Sequence, residues 1–128
     1  PSDKLVAMPA GSTPGDVETA VAKHGFSRYP MRGESGELVG YVHIKDLLRL
    51  GEERITQPIP AKRIREMLTL RNDTDLEDVL ARMQGRGVHL ARAVDATGLE
   101  MGVLFLEDVI EELVGEVHDA TKRQRYSD

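Results

Sequence analysis

The chain has 128 residues, a formal net charge of −5 and no cysteine. These values exclude a disulfide framework and a cysteine metal site, and they argue against nucleic-acid binding through a general basic field. No apolar run reaches the roughly 18 residues of a membrane span, and no signal peptide is evident. The chain begins at Pro1 rather than Met, so we expect an excised piece of a longer protein.

The first half of the chain predicts the order strand, helix, strand, strand, helix. Pro14 follows two hydroxyl residues, Ser12 and Thr13, which is typical of a helix start, and Gly25 is typical of a helix end. Residues 38–43 are nearly continuous in apolar character, as expected of a strand that is buried on both faces. The three strands cover residues 4–8, 28–32 and 38–43, the first helix is capped by Ser12 or Thr13 and ends near residues 24–25, and the second helix begins at residue 44.

The second half predicts the same order after a linker at residues 51–63, which contains Pro58 and Pro60. Thr74 and Glu77 have the spacing of a capping box, in which each side chain accepts the backbone N–H of the other residue. A polar tail beyond Glu116 is expected to fray. The predicted strands cover residues 65–70, 89–95 and 100–105, and the helices begin after Thr74 and Phe105. The first of these strands could equally be a helical turn, because Ile64, Met67 and Leu68 have helical spacing.

The two halves repeat each other at one constant offset, without a gap. The shared residues are Asp16 and Asp78, Val17 and Val79, Gly25 and Gly87, Gly36 and Gly98, Gly40 and Gly102, and Asp46 and Asp108. They fall mainly on turns and helix starts, where backbone geometry limits the choice of residue. Each half is too small for a comfortable core of its own. We therefore expect an α/β (α+β) fold of two β-α-β-β-α copies, residues 1–50 and 64–116, packed sheet to sheet with pseudo-twofold symmetry and followed by the polar tail at 117–128.

Three runs of sequence resemble a known family. They are Phe-Ser-Arg-Tyr-Pro at 26–30, Val-Gly-Tyr-Val-His-Ile-Lys-Asp-Leu-Leu at 39–48, and Leu-Glu-Asp-Val-Ile-Glu-Glu-Leu-Val-Gly-Glu at 106–116. A glycine, an apolar strand and a helix with an early aspartate close each copy, which resembles the CBS domain. Two in tandem resemble a CBS pair, or Bateman module. The quoted runs are similar to the CorC/HlyC and cyclin M (CNNM) magnesium and cobalt transport proteins.

The resemblance implies a regulatory module rather than an enzyme, and the sequence shows no catalytic constellation. CBS pairs of that family bind an adenine nucleotide, ATP or AMP, with or without Mg, in the cleft between the copies. The module would lie on the cytoplasmic side of the membrane, next to the membrane domain of its parent protein. Such pairs commonly form homodimers through their helices, which here carry Leu47, Leu48, Ile110 and Leu113.

Nine residues become candidates for nucleotide binding through this resemblance. Asp108 is placed to accept hydrogen bonds from both ribose hydroxyls, and Asp46 has the equivalent place in the first copy. Arg28 could reach the phosphates, and apolar residues such as Val88 and Met101 could sandwich the adenine. The remaining candidates are Tyr29, His43, Leu106 and Phe105.

The chain departs from the family three positions before each aspartate, where the family has Ser or Thr and this chain has His43 and Phe105. A hydroxyl there would cap the helix and contact phosphate or ribose, which phenylalanine cannot do, whereas His43 could still hydrogen-bond. An alternative function is therefore a structural dimerisation module with a degenerate cleft that binds no nucleotide. In that case Asp46 and Asp108 only stabilise helix starts, and Arg28 pairs with an acid on the surface.

Overall fold

The computed structural model describes residues 6–127, with the side chains of residues 6–120. The chain divides into two compact units, a first unit at Pro1–Met67 and a second unit at Leu68–Asp128. The elements are α1 Pro14–His24, β1 Arg28–Arg32, β2 Leu38–His43, α2 Ile44–Leu48, β3 Leu68–Arg71, α3 Leu76–Arg86, β4 Leu90–Val94, β5 Glu100–Phe105 and α4 Leu106–Ser127. The fold is mixed α+β with two small sheets, as predicted.

The sheet of the first unit is a hairpin of β1 and β2, and one isolated β-bridge extends it at each edge. The hairpin is antiparallel and has a bulge after Met31. Met8 bridges Met31 in parallel on one side, and Arg65 bridges Tyr41 antiparallel on the other. Of the strand predicted at residues 4–8, Met8 makes this bridge, while residues 4 and 5 lie outside the described residues.

The sheet of the second unit has the strand order β3-β4-β5. β3 is parallel to β4, and β4 is antiparallel to β5 with a bulge after Ala93. Each pairing of β4 with β5 repeats a pairing of β1 with β2, so that Met31 opposite Gly40 recurs as Ala93 opposite Gly102. The repeat seen in the sequence is therefore a repeat of strand register, including the position of the bulge.

The predicted capping box at Thr74 is wrong because α3 begins one residue later than that box requires. Asp75 is the N-cap of α3, and its side chain makes no capping hydrogen bond. A capping box is found instead in α1. There Thr13 Oγ1 accepts the Asp16 N–H (3.1 Å), and Asp16 Oδ2 accepts the Thr13 N–H (2.9 Å).

The segment predicted as a linker, residues 51–63, belongs to the first unit. Ile59 is buried in the core of that unit, and its N–H donates to the Ser12 carbonyl (3.0 Å). The Gly15 N–H donates to the Ile55 carbonyl (3.0 Å). Because the bridge at Arg65 also extends the first sheet, β3 starts at residue 68 rather than at residue 65.

Helix α4 continues to Ser127, through most of the segment predicted as a polar tail. Residues 116–127 contain neither glycine nor proline, and the sequence therefore offers no ordinary helix terminator there. Val109 is buried near the start of α4, and residues 114–120 are all exposed. No helix in the described residues is both long and apolar enough to cross a membrane.

Candidate functional site

Three of the candidate residues meet in the first unit, where β2 runs directly into α2. Arg28 lies opposite His43 in the hairpin register, and Asp46 follows in the first turn of α2. His43 is the N-cap of α2, and its Nδ1 accepts the Lys45 N–H (3.1 Å). The imidazole thus supplies the hydrogen-bond acceptor that a serine or threonine would supply at a helix start.

The charge state of His43 follows from its burial and its neighbours. Burial lowers the pKa of His43, and the positive charges of Arg28, Arg65 and Lys45 lower it further, while Asp46 opposes them. A neutral ring is also what the hydrogen bond requires, because Nδ1 can accept the Lys45 N–H only when it carries no proton.

Asp46 is held by a residue that the sequence did not predict for the site. Arg65 donates from Nε to Asp46 Oδ2 (2.7 Å) and from a terminal nitrogen to Asp46 Oδ1 (2.9 Å). The Asp46 side chain is 13% exposed and that of Arg65 is 43% exposed. These hydrogen bonds are the main reason that the pKa of Asp46 is lowered. Arg65 lies 19 residues further along the chain, so no helical or strand periodicity relates the two residues.

Tyr29 contributes its side chain to the core of the first unit. The side chain is fully buried, and its hydroxyl oxygen accepts the Phe26 N–H (3.1 Å). Burial raises the pKa of the Tyr29 hydroxyl. The candidate role of Tyr29 in nucleotide binding therefore finds no support in the position of its side chain.

Three further candidates lie at the junction of β5 and α4 in the second unit. Phe105 occupies the position of His43 in the repeat, and its side chain is buried. The Leu106 N–H donates to the His89 carbonyl (2.9 Å), as the Ile44 N–H donates to the Ser27 carbonyl (3.0 Å) one repeat earlier. Asp108 is half-buried in the first turn of α4. The two junctions are thus built on the same backbone plan.

The two residues proposed to sandwich an adenine have different surroundings. Val88 is buried in the core of the second unit, whereas Met101 is 57% exposed. Both were chosen because apolar strand residues stack well on a base, but periodicity alone could not tell which of them packs inward. The Met101 side chain is accessible, whereas the Val88 side chain packs in the core of the second unit.

A groove of about 380 Å³ lies in the first unit, and none of the nine candidates lines it. Its walls come from α1, from α2 and from the turn that follows α2, and they include Val17, Val21, Leu47 and Ile55. In the described part of the chain, no three histidine or carboxylate residues are placed to hold a metal ion. The candidate chemistry therefore rests on the β5–α4 junction and on the β2–α2 junction.

Comparison with known proteins decides the family. The family model described as "CBS domain" matches residues 1–53 and again residues 61–115. The chain is a tandem pair of CBS domains. This CBS pair is 33% identical to the CBS domain of a bacterial CNNM/CorC family Mg²⁺ transporter solved in complex with ATP, with a TM-score of 0.79 over 90% of this chain and 82% of that one.

Further relatives confirm the predicted resemblance to CNNM/CorC proteins. The CBS domain of a putative transporter from Clostridium difficile is 25% identical, with a TM-score of 0.75 over 88% of the CBS pair and 86% of that chain. An uncharacterised protein of Mycobacterium tuberculosis is 39% identical, and a UPF0053 protein of the same species is 31% identical. The matches cover 94% and 93% of the CBS pair but 34% and 26% of the two relatives. The CBS pair thus spans about a third or less of their length.

Proposed function

We propose that this CBS pair binds an adenine nucleotide, ATP or AMP, with or without Mg²⁺, and thereby controls a CorC/CNNM-like membrane transporter from the cytoplasmic side. One observation carries the proposal: the similarity to a CNNM/CorC CBS domain in complex with ATP extends over 90% of the chain at 33% identity. In this proposal the module regulates and does not catalyse. Any Mg²⁺ would arrive with the phosphates of the nucleotide, since phosphate oxygens are ligands that this ion accepts readily.

Asp108 supports the proposal through its position. Its carboxylate is half-buried in the first turn of the 22-residue helix α4, where a negative charge is favoured. A carboxylate can accept hydrogen bonds from the two hydroxyls of a ribose, each worth roughly 1.5–3 kcal/mol because the acceptor is charged. Asp108 is thus suited to select a ribonucleotide.

Phe105 favours a second candidate function, a structural dimerisation module that binds no nucleotide. The phenyl ring is buried and offers no hydrogen bond at the position where the family has a hydroxyl. Apolar side chains also remain exposed at the equivalent position of α2 and α4, with Leu48 79% and Ile110 38% exposed. Such residues are available for contact with a second copy of the chain.

Calorimetric titration of the chain with ATP, ADP and AMP, with and without Mg²⁺, separates the two functions. We expect Phe105→Thr to bind ATP more tightly than wild type, because it restores the hydroxyl. Phe105→Val is the matched control, since valine has the shape of threonine but carries a methyl group in place of the hydroxyl. Both variants lose buried apolar volume and about 2–4 kcal/mol of stability, so circular dichroism must show that they remain folded. If neither wild type nor folded Phe105→Thr binds any of the nucleotides at millimolar concentration, the dimerisation module is the better account.

A further inference from the structure

Backbone hydrogen bonds hold the end of the first unit against the edge of β2 that does not pair with β1. The Tyr41 N–H donates to the Arg65 carbonyl (3.0 Å), and the Arg65 N–H donates to the Tyr41 carbonyl (2.7 Å). Ile64, the residue before Arg65, packs against the core of the first unit. The segment at residues 64–65 therefore adds one bridge to the sheet and a side chain to the core.

Gly40 makes this close approach possible. A Cβ atom at Gly40 would lie 2.5 Å from the Arg65 carbonyl oxygen and 2.7 Å from a methyl group of Ile64. At Gly102, the same position one repeat later, a Cβ would meet nothing within 4 Å. The two glycines are equivalent in sequence and in register, but of this pair only Gly40 has, within the described residues, a segment of backbone packed on it.

We propose that Asp46 and Arg65 form a clamp that fixes residues 64–67 to the edge of the first sheet, and that the Asp46 carboxylate serves this clamp rather than a ligand. The second part rests on the proposed function, because it assigns the ribose hydroxyls of the nucleotide to the second repeat alone. The two aspartates that the repeat makes equivalent would thus perform different tasks.

The geometry of the ion pair supports the clamp. Both carboxylate oxygens of Asp46 accept a hydrogen bond from Arg65, and a bidentate, charge-assisted pair of this kind is stronger than hydrogen bonds to neutral hydroxyls. A ribose would have to displace the guanidinium and leave its charge without this partner. Arg65 cannot easily move away, because its own backbone is bonded to Tyr41 through both its N–H and its carbonyl.

The repeat does not duplicate the arginine. The offset that relates Asp46 to Asp108 leads forward from Arg65 to Ser127, in α4, and back from Arg65 to Asp3, which lies outside the described residues. Neither residue type carries a guanidinium. The sequence thus places no arginine at either position that the repeat makes equivalent to Arg65.

Amide hydrogen exchange and ATP titration of four variants test the proposal. We expect Asp46→Asn and Arg65→Gln each to accelerate exchange at the Tyr41 and Arg65 amides by about fivefold or more. The double variant should exchange no faster than the faster single variant, because both substitutions break the same pair. Lys62→Gln is the control: it removes an exposed positive charge two residues before the clamped segment and should leave exchange unchanged. Asp46→Asn should change ATP affinity by less than tenfold.

Two results would overturn the proposal. Unchanged exchange in Asp46→Asn and Arg65→Gln would show that no clamp exists. A loss of ATP affinity of tenfold or more in Asp46→Asn would show that the carboxylate serves a ligand. Should wild type bind no ATP, the proposed function fails, while the exchange rates still decide whether the clamp is real.

Discussion

At the scale of single residues, the same position of the repeat holds side chains with different roles in the two copies. His43 caps α2 through Nδ1, whereas Phe105 precedes α4 as a buried apolar side chain. The sequence correctly predicted that His43 could hydrogen-bond. Compared with the junction at His43, the junction at Phe105 therefore has more apolar packing and one hydrogen-bond acceptor fewer.

The cap at His43 predicts a dependence of stability on pH. The pKa of His43 is lowered in the folded chain, so the unfolded chain takes up its proton first, near pH 6.5. The stabilising contribution is fully present above that pH and is lost as the pH falls through the lower folded pKa. The free energy of unfolding should therefore decrease between pH 7.5 and 5.5, by at most about 1.4 kcal/mol per pH unit for this one proton.

Denaturant unfolding at several pH values, compared with His43→Asn, checks this dependence. Asparagine can cap the helix through its side-chain oxygen but does not titrate. The other three histidines remain in the variant, so the difference in slope isolates His43. Equal slopes for the two proteins would contradict the proposed role of the neutral ring.

Side-chain orientation limited what the sequence could predict at this scale. Tyr29 is a candidate through the family resemblance and Val88 as an apolar residue that could stack on adenine, yet both side chains are buried in cores. A strand with apolar residues on both faces gives no period from which to choose the face. Arg65 was missed for another reason: its partner Asp46 lies 19 residues away, and only the bridge to Tyr41 brings them together.

At the scale of elements, the glycines and apolar runs predicted the strands well. β1, β2 and β5 have the predicted bounds, because a turn with glycine separates β1 from β2 and β4 from β5, and helix periodicity begins directly after β2 and β5. Gly25 and Gly87 both end helices with positive φ angles, 74° and 64°, where other residues would be strained. The start of α3 and the end of α4 were wrong, since helix ends depend on local hydrogen bonds that composition alone does not determine.

The two equivalent glycines give a matched prediction about the β2 edge. Gly40→Ala should destabilise the chain by about 1–3 kcal/mol, because its Cβ would overlap the Arg65 carbonyl and the Ile64 side chain. Gly102→Ala should be neutral or slightly stabilising, since its Cβ would meet no atom of the described residues within 4 Å and alanine reduces the freedom of the unfolded chain. Chemical denaturation measures both. Equal losses of stability would mean that the approach of residues 64–65 is not what requires glycine at Gly40.

At the scale of the whole molecule, the repeat produces two units, each with its own sheet and core. The predicted packing of the units about a pseudo-twofold axis remains a prediction. The sequence placed the unit boundary earlier than the structure does, because prolines usually indicate a linker. Here, however, the segment that contains Pro58 and Pro60 packs the Ile59 side chain in the core of the first unit.

A homodimer is also predicted at this scale. Leu47 and Leu113, two of the four residues expected at the dimer interface, pack against the cores, while Leu48 and Ile110 are exposed. Light scattering at tens of micromolar protein should give about twice the 14.2 kDa mass of one chain. Leu48→Glu should shift the mass towards the monomer. The control Leu99→Glu, which charges an exposed leucine in a hairpin turn, should not.

A mass of one chain for the wild type would contradict the predicted dimer. A dimer that persists in Leu48→Glu would instead place the interface elsewhere on the molecule. Neither result bears on nucleotide binding, which the titrations measure separately.

The measurement that tests the account most directly is ATP affinity after substitution of two neighbouring acids in α4. Asp108→Ala removes the half-buried carboxylate, and Glu107→Ala removes an exposed carboxylate from the same helical turn. We predict that Asp108→Ala weakens ATP binding by roughly ten- to a hundredfold, the loss of about 1.5–3 kcal/mol, and that Glu107→Ala stays within about threefold of wild type. ATP binding by Asp108→Ala as tight as that of wild type would contradict the account.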